Sequence, residues 1–249
     1  MFRRFLAVTG LTLGLALPAQ ALDLDDMSKA ERDAFRAEVR AYLLDNPEVI
    51  MEAVSVLESR EQQAQMAQDR DLIAANRDAL LNSDHSWSGG NPDGDITLVE
   101  FIDYRCGYCR RAFDEVEQLV DIDGDIRLIL KEFPILGEQS EMASRFAIAT
   151  LQVAGDDAYK AVHDALMTMT GPVNETTLRR LAEPLGHDAD AIIGQMQDEA
   201  VSDVLAANRR LAANLQISGT PSFVMNDEML RGYLPLEAML QLVDEVRTQ

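Results

Sequence analysis

Cysteine is almost missing from this chain of 249 residues: there are two, Cys106 and Cys109. A secreted scaffold held by structural disulfides scatters several cysteines, and a structural zinc site takes about four ligands, so a single C-x-x-C serves neither purpose. The three histidines, His85, His163 and His187, stand singly in polar or mixed stretches and are expected to be solvated. Basic residues are also short, 22 Lys+Arg against 43 Asp+Glu, for a net charge of -21. Such a surface repels phosphate backbones and anionic headgroups, which argues against nucleic acid as a partner. Glycine (14) and proline (8) are sparse while 47% of residues are hydrophobic. Collagen-like, low-complexity and wholly disordered readings are therefore excluded, and the length supports a real core without disulfide staples.

The one marked apolar run stands at the start. Arg3 and Arg4 precede an uncharged stretch over residues 5–17, and Pro18-Ala19-Gln20-Ala21 ends in an A-x-A pattern. This is the form of a cleaved secretory leader over residues 1–21, too short for a transmembrane helix of ~20 apolar residues. Asp23, Asp25 and Asp26 follow at once. A mature chain from Leu22 is expected, in an extracytoplasmic compartment that permits disulfides.

Residues 22–83 read as helical. Ser28 and Glu31 have capping-box spacing, opening a first helix to about Leu44. Asn46 suits an N-cap and Pro47 the first position of a second helix. No further Pro or Gly occurs before Leu81, so one helix over 47–81 would extend ~50 Å. Val49, Ile50, Val54 and Leu57 make an apolar stripe, residues 58–71 are almost wholly polar, and Leu72, Ile73, Leu80 and Leu81 restore the apolar pattern. Such a helix cannot lie in a core along its length. One end is expected on the domain that follows and the other stripe on a second copy, making 22–83 an oligomerisation region; the alternative is a monomer in which these helices fold back on their own chain.

Turn formers crowd residues 83–95 and mark a boundary, with a catalytic domain over 84–249. Residues 96–104 and 126–133 read as buried strands joined by a helix over 107–120, a parallel βαβ unit of an α/β fold. Helical patterns fill about 138–216, punctuated at Gly155, Gly171-Pro172 and Gly186. Strands at 221–225 and 229–233 around Asn226-Asp227 read as a hairpin, and an amphipathic helix over 236–246 closes the chain.

The strand-to-helix junction places Cys106 at a helix N-terminus, where free amides and the dipole stabilise a thiolate. Arg105, Arg110 and Arg111 add positive potential, or are solvated helix ends. Cys109, a turn in, would be the buried resolving thiol of a pair that exchanges disulfides. Glu100 interrupts the apolar strand, where a carboxylate is costly unless paired or used. A Glu100–Lys131 pair beneath the cysteines would move protons to and from Cys109; the alternative is an edge-strand glutamate facing water.

Glu100-Phe-Ile-Asp-Tyr-Arg-Cys-Gly-Tyr-Cys-Arg-Arg-Ala112, Lys131-Glu-Phe-Pro-Ile-Leu-Gly137 and Gly219-Thr-Pro-Ser-Phe-Val224 together resemble the DsbA-type thiol-disulfide oxidoreductases of the thioredoxin superfamily. The resemblance covers roughly 90–249. It implies a thioredoxin fold with a helical insertion, preceded by an all-helical segment, and no cofactor. It also implies that Thr220-Pro221 is a cis-proline loop facing the cysteines, where substrate peptide pairs with backbone. Glu100 matches the family's buried acid and Lys131 its basic partner. Gly107-Tyr108 between the cysteines, and Thr220 before the proline, are similar to the periplasmic disulfide isomerases rather than the strongly oxidising members. The leader with Leu43-Leu-Asp-Asn-Pro-Glu48 is similar to a subgroup that includes the suppressor-of-copper-sensitivity protein C, where it mediates oligomerisation. A periplasmic isomerase or reductase acting on exported clients, kept reduced by a membrane partner, is therefore expected. The alternatives are a DsbA-like oxidase and a Cu(I)-binding protein using the two soft thiolates.

Overall fold

The computed structural model describes residues 26–248; the expected leader over 1–21 lies outside them. The chain divides into two compact units, one ending at Ser59 and the other starting at Arg60.

In the first unit, α1 (Lys29–Asp45) opens with the expected capping box. Ser28 Oγ accepts the Glu31 N–H at 3.3 Å, and Glu31 Oε2 accepts the Ser28 N–H at 2.8 Å. Asn46 does not cap the following helix. Its N–H and Nδ2 both donate to Tyr42 O, at 2.8 and 2.9 Å, so the side chain is used to end α1. Helix α2 (Glu48–Ala75) begins beyond Pro47. No residue of 26–59 is buried, and Phe35, Val39, Leu44, Ile50, Val54 and Leu57 are exposed.

The expected single helix over 47–81 is two. At Asn76 the backbone leaves helical geometry (φ -113°, ψ 12°), and α3 (Arg77–Leu81) follows. Asn76 Nδ2 donates to Leu72 O at 2.8 Å, the local competition by which asparagine ends helices.

The second unit is built on a five-stranded sheet of order β1-β3-β2-β4-β5: β1 (Ser88–Gly90), β2 (Ile96–Ile102), β3 (Ile126–Glu132), β4 (Ser222–Met225) and β5 (Glu228–Arg231). Strands β2 and β3 pair in parallel across α4 (Gly107–Asp123), while β1, β4 and β5 run antiparallel to their neighbours. Strand β1 was hidden among turn formers because its glycines answer to close approach. A Cβ on Gly89 would meet the Trp87 ring at 2.1 Å, and one on Gly90, at φ 69°, would meet Ile126 O at 2.3 Å.

Side chains alternate across the two central strands. Leu98, Ile102, Leu128 and Leu130 face a core shared with α4 and α10 (Leu236–Thr248). Val99, Phe101, Ile129 and Phe133 face the other core, closed by Ile73 and Leu80 and by Leu211 and Leu215. The second half of α2 and α3 thus cover one sheet face, which is why the compact catalytic unit starts at Arg60 rather than near 84. Asp69 of α2 also grips the edge strand: its carboxylate accepts two bonds from Arg231, at 2.6 and 2.8 Å. Between β3 and β4 lie α5 (Glu138–Ala154), α6 (Asp156–Thr168), α7 (Glu175–Ala182), α8 (Ala189–Gln195) and α9 (Glu199–Asn214), the expected helical insertion. Among the described residues no helix is long and apolar enough to cross a membrane.

Candidate active site

Cys106 is the N-cap of α4, with extended backbone (φ -76°, ψ 118°). The preceding turn is set by Asp103, which sequence reasoning passed over. Its main-chain oxygen accepts the Cys106 N–H at 3.0 Å. Its carboxylate accepts Arg105 N at 2.8 Å, and Ile135 N and Leu136 N at 2.8 and 3.0 Å, so one buried side chain ties the loop before α4 to the loop after β3. An aspartate two residues before an accepted N–H is an Asx turn, a signal legible in the sequence.

Across from this loop the Thr220–Pro221 peptide bond is cis, as the resemblance implied. Strand β4 starts at Ser222, opposite Phe101 of β2, which brings Thr220 over α4's first turn. Cys106 Sγ donates to Thr220 O at 3.1 Å. Cys106 retains 7% of its exposure and Cys109 none, and both are free thiols. Gly107 has open space where a side chain would be, and Tyr108 is 61% exposed. Both cysteines are thus buried, Cys106 less completely than Cys109.

Burial pushes the Cys109 thiol up, and nearby Glu100 pushes it further, so Cys109 holds its proton. Glu100 is itself buried on β2, where desolvation first and the charge of Glu117 second raise it to about 8. Its Oε1 has no hydrogen-bond partner. An unpartnered carboxyl ready to change charge near the resolving thiol is suited to proton transfer.

The expected Glu100–Lys131 pair is not formed. Glu100 stands opposite Leu130 and Lys131 opposite Phe101, which puts the two side chains on opposite faces of the sheet. Lys131 Nζ donates to Ala79 O at 2.9 Å, to Ser86 Oγ at 3.1 Å and to Ser83 Oγ. Burial, with Arg127 adding to it, lowers Lys131 to about 8. It anchors the segment between α3 and β1.

On the same sheet face as Glu100, β3 carries the buried Glu132, which sequence reasoning missed. Its Oε1 accepts the hydroxyls of Tyr104 and Tyr159 at 2.8 and 2.7 Å. Burial raises Glu132 to about 7, less far than those donors would otherwise allow. Tyr104 OH also lies 3.1 Å from His163 Nδ1. A hydroxyl has one proton, so with Glu132 accepting it His163 donates from Nδ1. His163 was expected in solvent and is 2% exposed; burial lowers it to about 3 and keeps it neutral. Among the described residues no group of three or more His, Cys, Asp or Glu is placed to hold a metal ion.

Comparison with known proteins fits this geometry. The DSBA-like thioredoxin domain matches residues 97–244, and the chain belongs to that family. The copper resistance protein ScsC N-terminal domain matches residues 31–64. A thioredoxin-like oxidoreductase from Silicibacter pomeroyi is 42% identical with a TM-score of 0.66, covering 70% of this chain and 99% of that one. Proteus mirabilis ScsC in a transitional conformation is 27% identical with a TM-score of 0.64, covering 88% of this chain and 98% of that one. Among curated proteins, the Na(+)/H(+) antiporter NhaA 3 of Salinispora tropica is 26% identical over 159 residues, 64% of this chain. The chain spans 24% of that relative's length.

Proposed function

We propose that the protein is a periplasmic disulfide isomerase or reductase for exported clients, held reduced by a membrane redox partner and assembled as a homo-oligomer through residues 22–83. The observation that carries the thiol chemistry is the asymmetry of the pair: Cys106 Sγ reaches Thr220 O at 3.1 Å and the residue keeps a small exposure of 7%, while Cys109 has none.

The Cys106 thiolate attacks one sulfur of a client disulfide. A bond forms between Cys106 and that sulfur, the client's own bond breaks, and its second sulfur leaves as a thiolate that takes a proton from water. Thr220 O, relieved of the Cys106 thiol proton, accepts a main-chain N–H of the bound client. Two outcomes follow. In isomerisation the released client thiolate attacks elsewhere, finally displaces Cys106, and no electrons are transferred in net. In reduction Cys109 gives its proton to the Glu100 carboxylate and attacks the Cys106 sulfur. The mixed disulfide breaks, the client sulfur held on Cys106 leaves as a thiolate that takes a proton from water, and two electrons have passed from the cysteine pair to the client, now a dithiol.

The exposed Gly107-Tyr108 face and Thr220 support reshuffling over net oxidation, as does an N-terminal unit that buries none of its described side chains, suited to placing several Cys106 sites around one client. The test offers the protein a scrambled multi-disulfide substrate and the same substrate fully reduced. Faster recovery from the scrambled form is expected. Net oxidation of the reduced form alone, with a strongly oxidising Cys106/Cys109 potential, overturns the isomerase in favour of an oxidase. Cu(I) held against a chelator without any exchange activity overturns both.

A further inference from the structure

The surface beside Cys106 is shaped by residues far apart in the chain. Tyr108, in the first turn of α4, stacks on Tyr233 with ring centroids 6.2 Å apart and planes inclined by 29°. Tyr233 lies in the segment between β5 and α10, and it is held from two sides. Its hydroxyl donates to Glu115 Oε1 at 2.7 Å, while Glu115 Oε2 accepts the Leu236 N–H at 3.0 Å. The Arg111 guanidinium sits 4.5 Å from the Tyr233 ring centre. One face of Tyr108 is thus seated on a ring that is itself fixed, and the side chain is still 61% exposed.

A large exposed ring is costly in water, and immobilising it removes rotamer freedom that solvent would otherwise restore. Held rings make good contact surfaces because little entropy remains to be lost on binding. The occupant is fixed by chemistry. Any polypeptide bonded to Cys106 Sγ has its neighbouring residues within one or two residue lengths of Tyr108, with Thr220 O on the other side of the sulfur.

We propose that Tyr108, seated on Tyr233 and bordered by Arg111, is a recognition subsite for an aromatic side chain next to the attacked cysteine of a polypeptide client. Tyr108 is the contact residue. Tyr233 is a positioning residue that acts through it, with Glu115 fixing Tyr233. This rests on the reading that the clients are polypeptides.

The experiment uses the full chain and two disulfide peptides that differ only in the residue after the cysteine, Phe or Ser, with a low-mass disulfide alongside. The Phe peptide is expected to be preferred about three- to tenfold in kcat/KM, mainly through KM, the range typical of one aromatic pair. Tyr108→Phe keeps the preference. Tyr108→Ala and Tyr233→Leu each bring the ratio toward one, and the double variant goes no further than Tyr108→Ala. The ratio is internal to each variant, so a change in folded fraction leaves it intact. Equal rates with both peptides, or a full preference in Tyr233→Leu, overturns the subsite while leaving polypeptide clients in place. Turnover of the low-mass disulfide with neither peptide used overturns the polypeptide reading, and this subsite with it.

Discussion

Helix α2 passes through both compact units and is used differently in each. Up to Ser59 most of its apolar residues, Ile50, Val54 and Leu57 among them, are exposed, and nothing in 26–59 is buried. Beyond Arg60 the same helix buries Ile73 against a sheet face and sets Asp69 on Arg231. Apolar side chains at helical spacing are alike in the two stretches. The difference is that a strand surface, Val99, Phe101 and Ile129, waits for one of them, whereas within the first unit two helices alone offer no enclosed interior. Residues 60–248 bury their apolar side chains within one chain, and the proposed assembly would use the exposed ones of 26–59.

The sharpest contrast is chemical. Replacing Cys106 with Ser is expected to reduce exchange to background, and Cys109→Ser to accumulate mixed disulfides visible on non-reducing gels. Labelling of Cys109 ahead of Cys106 by an alkylating reagent at mildly acidic pH would reverse these roles.

Truncation comes next. A chain beginning at Arg60 is expected to keep its unfolding midpoint and its exchange activity. One beginning at Ser83 loses Ile73, Leu80, the Asp69 clamp and the Ala79 acceptor for Lys131. Loss of Leu80 alone, as Leu80→Ala, costs ~2–5 kcal/mol by denaturant titration. Equal midpoints for the two truncated chains would show that 60–82 is no part of the catalytic core.

A third effect is set by pH. Glu100 ionises near 4.5 when unfolded and about 8 when folded, and Glu132 moves from 4.5 to about 7. The folded protein therefore holds protons the unfolded chain has released. Their contribution is full below pH 4.5 and is lost as pH rises toward 8, so stability falls across that window. Glu100→Gln is expected to flatten the fall, with a gain on the order of a few kcal/mol at pH 8. The same variant should slow client release from Cys106, seen as longer-lived mixed disulfide. An unchanged pH slope together with unchanged release would refute the role given to Glu100.

The smallest effect on stability is expected in the first unit. Leu57→Asp should move the unfolding midpoint by no more than about 0.5 kcal/mol at low concentration, yet lower the mass seen by light scattering. A monomeric mass for the unaltered protein defeats the proposed assembly.

Much of this was legible in one dimension. Alternation and apolar runs located β2, β3 and the hairpin, Ser28 and Glu31 marked the start of α1, and the lone C-x-x-C at a strand-to-helix junction put Cys106 at a helix N-terminus. These are local matters: a capping side chain bonds within three residues, and a helix dipole acts on the residue at its end. The chain itself thereby determined the class of chemistry and the place of Cys106. Other features needed the partner strand. Lys131 and Glu132 are neighbours in sequence, and which of them shares a face with Glu100 depends on the register that sets Glu100 against Leu130. A shift of one residue would have exchanged them. Asn46 and Asn76 each fit more than one helix-boundary role by composition, and the carbonyls they found, Tyr42 O and Leu72 O, decided between them. His163 looked solvated until Tyr104 and Tyr159 closed around it. Only the tertiary structure decided these, because hydrogen-bond partners and burial belong to groups that folding brings together from distant parts of the chain.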